Sequence, residues 1–318
     1  MEPRHWLYKS LAGLLSAHCY AETVADRFWA TQYPLVVDES GVVRSGEYRP
    51  NEYRPREFTD VQCHPERLDQ PLRWRKPRRV FVNSMSDLFH EAVPDEFIAR
   101  VWDVMRATPQ HTYQILTKRP TRMLSVVQRL RFDESYDGGR GRMWVADTPD
   151  AHGYPLASGH KVASGLRNVW LGVSVENQAT ADERIPLLLQ TPAAVRFLSC
   201  EPLLSSIDLR GPKETCGDCD PCIGGRPDQC AVGGSWLKAL HPDGIHWVIV
   251  GAESGPKARP CDVAWIRAIR DQCREAGVPL FCKQLGSVWA KANSADLKGG
   301  DISTWPMDVR IREYPAAT

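Results

Sequence analysis

Polar and charged residues follow short apolar runs at six places along the chain. They combine carboxylates, cations, hydroxyls and amides, and they are Asn83, Ser84, Asp87, Lys118, Glu176, Asn177, Glu201, Glu253, Ser254, Lys283 and Gln284. If the runs are neighbouring parallel strands, all of them end on the same side of the sheet and these residues meet there. Such a set suits a polar ligand that carries both carboxylate and amine groups. For any single residue the ordinary explanation is that strands end at solvent, so the prediction depends on the whole set.

A second candidate site is a group of closely spaced cysteines, which we predict to bind one metal ion. Two overlapping Cys-x2-Cys steps join Cys216, Cys219 and Cys222, and Cys230 follows further along the same segment. Four thiolates at this spacing can complete a tetrahedron around zinc, and an iron–sulfur cluster is the alternative. Because all four thiolates would be used, the site would be structural rather than catalytic. A loop of free cysteines is the remaining interpretation.

A basic stretch lies immediately before the first apolar run. Residues 73–79 read RWRKPRR, so five cations surround Trp74. Cations next to an aromatic ring can contact nucleic-acid phosphates. More often such a stretch is a solvated approach to a buried strand, and we favour that interpretation.

These candidate residues require a scaffold in which strands and helices alternate. Runs rich in β-branched and aromatic residues predict strands at 79–82, 112–116, 169–175, 195–198, 246–250 and 278–282. Helical spacing of apolar residues predicts helices at 95–107, 123–130 and 263–276, and another that ends near 189. Gly277 is the expected C-terminal stop of the helix at 263–276.

This alternation predicts an α/β fold with a parallel sheet, either doubly wound or a (β/α) barrel. We favour a partial or closed barrel, because no Gly-x-Gly-x-x-Gly follows a strand and because nearly every strand ends in polar residues. We predict a single domain over residues 1–318 that contains all of these strands and helices. Two segments interrupt it, namely a Gly-rich excursion or lid at 133–166 and a Cys-rich insertion at 209–242, the expected metal knuckle.

Composition excludes several classes of protein. The chain has 318 residues, 42% hydrophobic and 25% charged, which is unlike a disordered or collagenous protein. A formal net charge of +1 argues against nucleic-acid binding by bulk electrostatics. No apolar run reaches the ~18 residues of a membrane span, and the N-terminus lacks a secretion signal, so we expect a cytoplasmic protein without a membrane partner.

Several motifs together resemble one family. They are HPERLDQ at 64–70, FVNSMSDLFH at 81–90, QILTKRP at 114–120, WLGVSVEN at 170–177, FLSCEPL at 197–203, WVIVGAESG at 247–255 and FCKQ at 281–284. In these motifs the chain resembles the phage-associated family known as phage gene product 37/68, whose function is unassigned. Its members are similar to radical S-adenosylmethionine proteins of the spore photoproduct lyase type, which have a partial (β/α) barrel.

The resemblance implies a [4Fe-4S] cluster held by three cysteines near the N-terminus, with S-adenosylmethionine on its open iron position. The segment HCYAE at 18–22 matches the last of these cysteines at Cys19, but Ser16 stands where another is expected. One thiolate cannot hold such a cluster, so we expect this chain not to form a stable one.

Two functions follow from the resemblance. The first is a radical S-adenosylmethionine-like enzyme, or a degenerate one, that acts on nucleic acid or another macromolecule. In it the strand-end residues bind S-adenosylmethionine, with Glu176 and Glu253 facing its cationic groups and Lys118 or Lys283 its carboxylate. The alternative is a cluster-free binding protein of phage origin, with zinc at the Cys-rich insertion.

Overall fold

The computed structural model describes ten segments of the chain. They are residues 35–37, 43–45, 61, 63–83, 86–133, 142–146, 160–162, 166–211, 236–238 and 244–316.

The described residues form eleven strands and five α-helices. The strands are β1 Leu35–Val37, β2 Val43–Ser45, β3 Arg79–Val82, β4 Thr112–Thr117, β5 Leu130–Asp133, β6 Arg142–Val145, β7 His160–Val162, β8 Val169–Ser174, β9 Val195–Cys200, β10 Trp247–Val250 and β11 Leu280–Cys282. The helices are α1 Asp95–Ala107, α2 Pro120–Arg129, α3 Gln178–Gln190, α4 Val263–Ala276 and α5 Gly286–Ala292. Short 3-10 turns occupy Pro65–Arg67, Gln70–Arg73, Ile302–Thr304 and Met307–Val309. In this part of the chain, no helix combines the length and the apolar character that crossing a bilayer requires.

Six strands form one parallel sheet that curls into a half-barrel. The strands lie side by side in the order β11-β10-β9-β8-β4-β3. Among these six strands, neighbours in the sheet are therefore also consecutive along the chain. A doubly wound sheet reverses this order at a switch point, and the sheet has no such reversal. The prediction of a partial (β/α) barrel is therefore confirmed at the level of architecture.

The predicted strands are present, and β9 is longer than predicted. The prediction ended that strand at Leu198, but parallel pairing continues through Ser199 and Cys200. These two residues pair with β10, and Ser199 also pairs with β8, so backbone hydrogen bonding outweighs their weak strand preference.

The outer face of the half-barrel packs against the helices and forms the main core. Alternate residues of each strand, such as Val80 and Val82 of β3, share this core with Val101 and Met105 of α1. Helix α4 begins at Asp262, whose side chain accepts a hydrogen bond from Ala264 N. The same helix ends at Gly277 in the left-handed conformation, as the sequence predicted.

The inner face carries aromatic side chains near the N-terminal ends of the strands. Residues 311–313 pair with β11, and Tyr314 then packs on Trp247 and Phe281 with ring centroids 5.4 and 5.2 Å away. The guanidinium of Arg79, on the opposite edge strand β3, lies 3.9 Å from the centre of the Tyr314 ring. Tyr314 thus links the two edges of the sheet. We call these ring residues the aromatic floor: Trp170, Phe197, Trp247, Phe281 and Tyr314.

The predicted excursion at 133–166 contains regular structure in its described parts. Strands β6 and β7 flank β5 in a three-stranded antiparallel sheet. Met143 is buried, and its backbone N–H donates to Asp103 of α1 at 2.8 Å. Because α1 packs on the outer face of the half-barrel, this small sheet lies outside it. Most of the predicted insertion at 209–242 lies outside the described residues.

Candidate binding site at the strand ends

Six predicted site residues follow the strands at positions whose side chains are expected to face the inside of the half-barrel. Side chains alternate between the faces of a strand, so a residue two positions beyond an inward-facing one continues that face. Lys118 follows Leu116 in this way, and Lys283 follows Phe281. We call this set the strand-end rim: Asn83, Lys118, Glu176, Glu201, Glu253 and Lys283.

Asp87 organises the junction between β3 and β4. Its carboxylate accepts hydrogen bonds from Thr117 Oγ1 at 2.7 and 2.8 Å and from Lys118 N at 3.1 Å. Arg119 Nη1 donates to it at 3.2 Å, and Phe89 N at 3.0 Å. With so many donors already bound, Asp87 holds the loops that present Asn83 and Lys118. The cofactor contact predicted for it stays a prediction.

Glu176 lies at the centre of one half of the rim, between two cations. Lys118 Nζ lies 2.7 Å from its Oε1, and Arg184 Nη1 lies 3.1 Å from its Oε2. Arg184 also donates to the carbonyl of Ser174 at 2.8 Å. Glu176 and Arg184 are buried, whereas the Lys118 side chain is 34% exposed. Lys118 is therefore the member of this cluster that is accessible to a ligand.

Glu201 and Lys283 form the corresponding pair on β9 and β11. Lys283 Nζ lies 3.2 Å from Glu201 Oε1, and Ser199 Oγ donates to Glu201 Oε2 at 3.1 Å. Gly251 at the end of β10 makes room for this carboxylate, because a Cβ there would lie 2.4 Å from Glu201 Oε1. The Lys283 side chain is 55% exposed, so it too is open to solvent.

Glu253 completes the charged part of the rim and is clamped by Arg259. The guanidinium donates to both carboxylate oxygens at 2.8 and 3.1 Å, and the Arg259 backbone N–H donates at 2.8 Å. The hydrogen bond that Arg259 donates to Glu253 raises the pKa of Arg259, and the charges of Glu253 and Glu176 act in the same direction. Glu253 is thus held by a cation of its own loop.

Asn83 differs from the charged residues because its side chain has no hydrogen-bond partner among the described residues. The residue is 4% exposed, and within this part of the chain neither its amide oxygen nor its amide nitrogen makes a hydrogen bond. Its φ of 59° places the backbone in the left-handed region. The hydroxyl of Ser86 nearby is also buried, and no described residue is its partner. Buried polar groups without a partner are rare in proteins, and each one requires an explanation.

Other predicted contact residues have structural partners. Asn177 is the N-cap of α3, and its side chain accepts from Thr180 N at 3.0 Å. Gln284 Nε2 donates to the carbonyl of Ala252 at 2.9 Å. Ser254 follows Glu253 and is half-buried. Ser84 lies outside the described residues.

The cysteines predicted to bind metal cannot be placed. Cys19 and the group Cys216, Cys219, Cys222 and Cys230 lie outside the described residues. In the part of the chain that the structure does describe, no three or more His, Cys, Asp or Glu side chains are grouped as metal ligands.

Burial dominates the chemistry of four of the described cysteines. It raises the pKa of Cys261, Cys273 and Cys282 to about 12. Burial also raises the pKa of Cys200, with neighbouring Cys273 and Glu201 adding to the effect. Free cysteines in such surroundings pack as small apolar side chains.

Two residues of the site, Arg184 and Arg259, were not predicted from the sequence. Arg184 lies on the apolar side of α3 with Ala181, Ile185 and Leu188, and a cation in such a stripe is a detectable sign of a buried ion pair. Arg259 lies in a loop without periodicity, and no sequence pattern marks it.

The arrangement provides opposite charges and the Asn83 amide along one end of the sheet. Lys118 and Lys283 present exposed cations on separate strands, and each is backed by a carboxylate. Asn83 presents a donor and an acceptor. These groups suit recognition of a zwitterionic ligand that also carries amide-like hydrogen-bonding groups.

Comparison with known proteins identifies a family but no function. The family model described as "Protein of unknown function (DUF5131)" matches residues 13–306. Searches of curated proteins and of solved structures gave no match.

Proposed function

We propose that this chain, which belongs to the DUF5131 family, is a radical S-adenosylmethionine-like protein that binds S-adenosylmethionine at the strand-end rim. Six of the seven motifs quoted above cover the C-terminal ends of the parallel strands, where the rim lies, and HPERLDQ at 64–70 precedes the first of these strands. Asn83 is the observation that carries the proposal.

Asn83 combines two features that cost stability. A buried amide without hydrogen bonds costs about 1–3 kcal/mol. A left-handed backbone is unfavourable for most residues, although asparagine tolerates it better than others. Unfavourable conformations and contacts of this kind are often retained at ligand-binding sites, where binding offsets their free-energy cost. The adenine, amine and carboxylate of S-adenosylmethionine all offer partners for an amide.

The ion pairs of the rim support the same ligand. Glu176 keeps Arg184 as a partner, so Lys118 can turn toward a ligand carboxylate without leaving a buried charge alone. Glu201 remains hydrogen-bonded to Ser199 when Lys283 moves. The ligand's amine and sulfonium would then be attracted to Glu176, Glu201 and Glu253.

The proposal is limited to ligand binding. Cys19, which matches the last cysteine of the expected cluster motif, lies outside the described residues. No cluster-dependent step is therefore assigned to this chain.

A cluster-free binding protein with zinc at Cys216–Cys230 is the second candidate, and the spacing of the four cysteines favours it. Metal analysis after anaerobic reconstitution separates the two. Zinc that falls from one equivalent to none in Cys219→Ser/Cys222→Ser supports the second candidate's metal site. Four iron and four sulfide that survive this substitution support a cluster elsewhere.

The test of the rim is Asn83→Gly measured by calorimetric titration with S-adenosylmethionine. Glycine accepts the left-handed backbone, so the variant should unfold at the same or a higher urea concentration than the wild type. Its affinity for S-adenosylmethionine should fall at least about tenfold, the loss expected for one buried polar contact.

The matched control is Asn168, an amide whose hydrogen bonds are satisfied. Its Nδ2 donates to the carbonyls of Met105 and Thr108 at 2.9 and 3.3 Å. Asn168→Ala should lower stability and leave S-adenosylmethionine affinity unchanged. The proposal is wrong if the wild type does not bind S-adenosylmethionine, or if Asn83→Gly binds it as well as the wild type does.

A further inference from the structure

The basic stretch at the other end of the half-barrel remains without a function. We call it the basic strip, and it comprises Arg73, Arg75, Lys76, Arg78 and Arg79. All five side chains belong to exposed residues. The whole chain carries a formal net charge of only +1, so this concentration of positive charge is local. The strip leads into the first residue of β3 and therefore lies at the end of the sheet opposite to the rim.

Most of the strip lacks carboxylate partners. Arg73 pairs with Asp69 within the preceding turn. No carboxylate of the described residues forms an ion pair with Arg75, Lys76, Arg78 or Arg79. Unpaired, exposed cations this close together repel one another and attract a polyanion.

Aromatic rings hold two of the arginines in place. The Arg78 guanidinium carbon lies 4.7 Å from the centre of the Trp74 ring, and that of Arg79 lies 3.9 Å from the centre of the Tyr314 ring. Trp74 is in turn packed edge-on against the buried His111. A guanidinium that is already ordered loses less conformational entropy when it contacts a phosphate.

We propose that the basic strip, with Trp74 and Tyr314, binds the sugar-phosphate backbone of a single-stranded nucleic acid. The cations contact phosphates, and the stacked guanidinium groups and the 43% exposed Tyr314 ring provide planar surfaces for unpaired bases. The strip begins in the short 3-10 turn Gln70–Arg73 and runs into β3. It is therefore not part of an α-helix that could enter the groove of a duplex. This inference does not depend on the rim.

An anionic membrane is the other polyanion that such a strip could meet. Membrane-binding segments direct their aromatic rings outward into the lipid. Here Trp74 lies beneath Arg78 and against His111, so the observations favour nucleic acid.

The experiment is fluorescence anisotropy of the full chain with a labelled single-stranded oligonucleotide of about 20 residues over a range of salt concentrations. Arg75→Ala/Lys76→Ala should weaken binding about tenfold. It should also reduce the slope of log affinity against log salt by about 1.4, since each lost phosphate contact removes about 0.7. Tyr314→Leu should weaken binding with a smaller change in slope, because stacking does not release counterions. A duplex of the same sequence should bind more weakly than the single strand.

Lys291→Ala/Lys298→Ala is the matched control, since both lysines are exposed on or after α5 and far along the chain from the strip. It should bind like the wild type. The inference is wrong if the wild type does not bind the oligonucleotide at low salt, or if the control pair weakens binding as much as the strip pair. It is also wrong if the strip pair loses binding to phosphatidylserine-containing vesicles but not to the oligonucleotide. Circular dichroism and thermal unfolding establish that each variant is folded.

Discussion

The two ends of the half-barrel hold their charges in opposite ways. At the strand-end rim, three carboxylates lie between two lysines in the order of the strands. Each carboxylate has a partner within the protein, as Glu176 has in Lys118 and Arg184. At the basic strip, four of five cations have no carboxylate partner among the described residues, and two lie over aromatic rings instead. The difference follows from burial, because a charge can stay unpaired only where water solvates it.

This contrast separates two kinds of ligand recognition. A partly buried rim of paired charges selects a small ligand by exchanging internal partners for ligand groups. An exposed strip attracts an extended polyanion by long-range electrostatics that salt weakens. Four predictions test whether the two ends differ in this way, in order of decreasing effect.

Asp87→Ala should be the most destabilising change at the rim. It leaves Arg119 and the donors of Thr117 and Lys118 without their shared acceptor, and breaking a buried pair costs about 3–5 kcal/mol. Urea unfolding measures the loss. Asp182→Ala is the control, because Asp182 is exposed on α3 and should change stability by less than about 0.5 kcal/mol. Equal losses in the two variants would contradict a buried network at the rim.

Gly172→Ala and Gly251→Ala compare the aromatic floor with the rim. At Gly172 a Cβ would lie 2.5 Å from the fully buried Phe197 ring, which cannot move freely, so we expect a loss of about 1–3 kcal/mol. At Gly251 the obstacle is the end of the Glu201 side chain, which can shift toward solvent. Gly251→Ala should therefore lower stability less than Gly172→Ala does but reduce S-adenosylmethionine affinity. The reverse order of stabilities would show that the rim is the more rigid end.

Tyr314→Ala should destabilise the protein at the aromatic floor, where Tyr314 links the two edge strands. It removes the ring that contacts Arg79, Trp247 and Phe281, and loss of such aromatic and cation–π contacts costs about 1–2 kcal/mol. Tyr314→Phe keeps the ring and should unfold like the wild type in thermal denaturation. A similar loss in both variants would assign the effect to the hydroxyl.

Glu91→Gln should have the smallest effect, because the Glu91 side chain is 71% exposed at the outer side of the rim. A hydrogen bond from its own backbone N–H to the carboxylate and the charge of Arg119 lower the pKa of Glu91. A carboxyl whose pKa is lowered by folding stabilises the protein above the unfolded pKa. That stability is lost as the pH falls through the folded pKa.

The difference between wild type and Glu91→Gln should therefore be below about 0.5 kcal/mol near pH 7. It should shrink as the pH falls below the unfolded pKa of about 4.3 and vanish below the folded pKa. Urea unfolding at several pH values measures it, with the exposed Glu183→Gln as a control that should show no such trend. A difference that grows as the pH falls would contradict the assigned pairing.

Much of this molecule could be predicted from local sequence. Apolar runs such as 169–174 can only be strands buried on both faces, and polar residues after them must lie at one edge when the strands are parallel. Asp262 marks the start of α4 because its side chain caps the helix. Gly277 marks the end because glycine readily adopts the left-handed backbone found there. The inward register of Lys118 and Lys283 also follows from the period of two along a strand.

Tertiary structure alone decided which charges meet. Lys118 and Glu176 are far apart in sequence, and their contact depends on β4 lying next to β8. The same holds for Glu201 and Lys283, which directly follow β9 and β11, with β10 between these two strands. Arg79 and Tyr314 meet only because the sheet curls and residues 311–313 pair with β11. Sequence determines which side chains face inward, since that depends on local backbone geometry. The partners of those side chains depend on strand order and curvature, which the packing of the whole core sets.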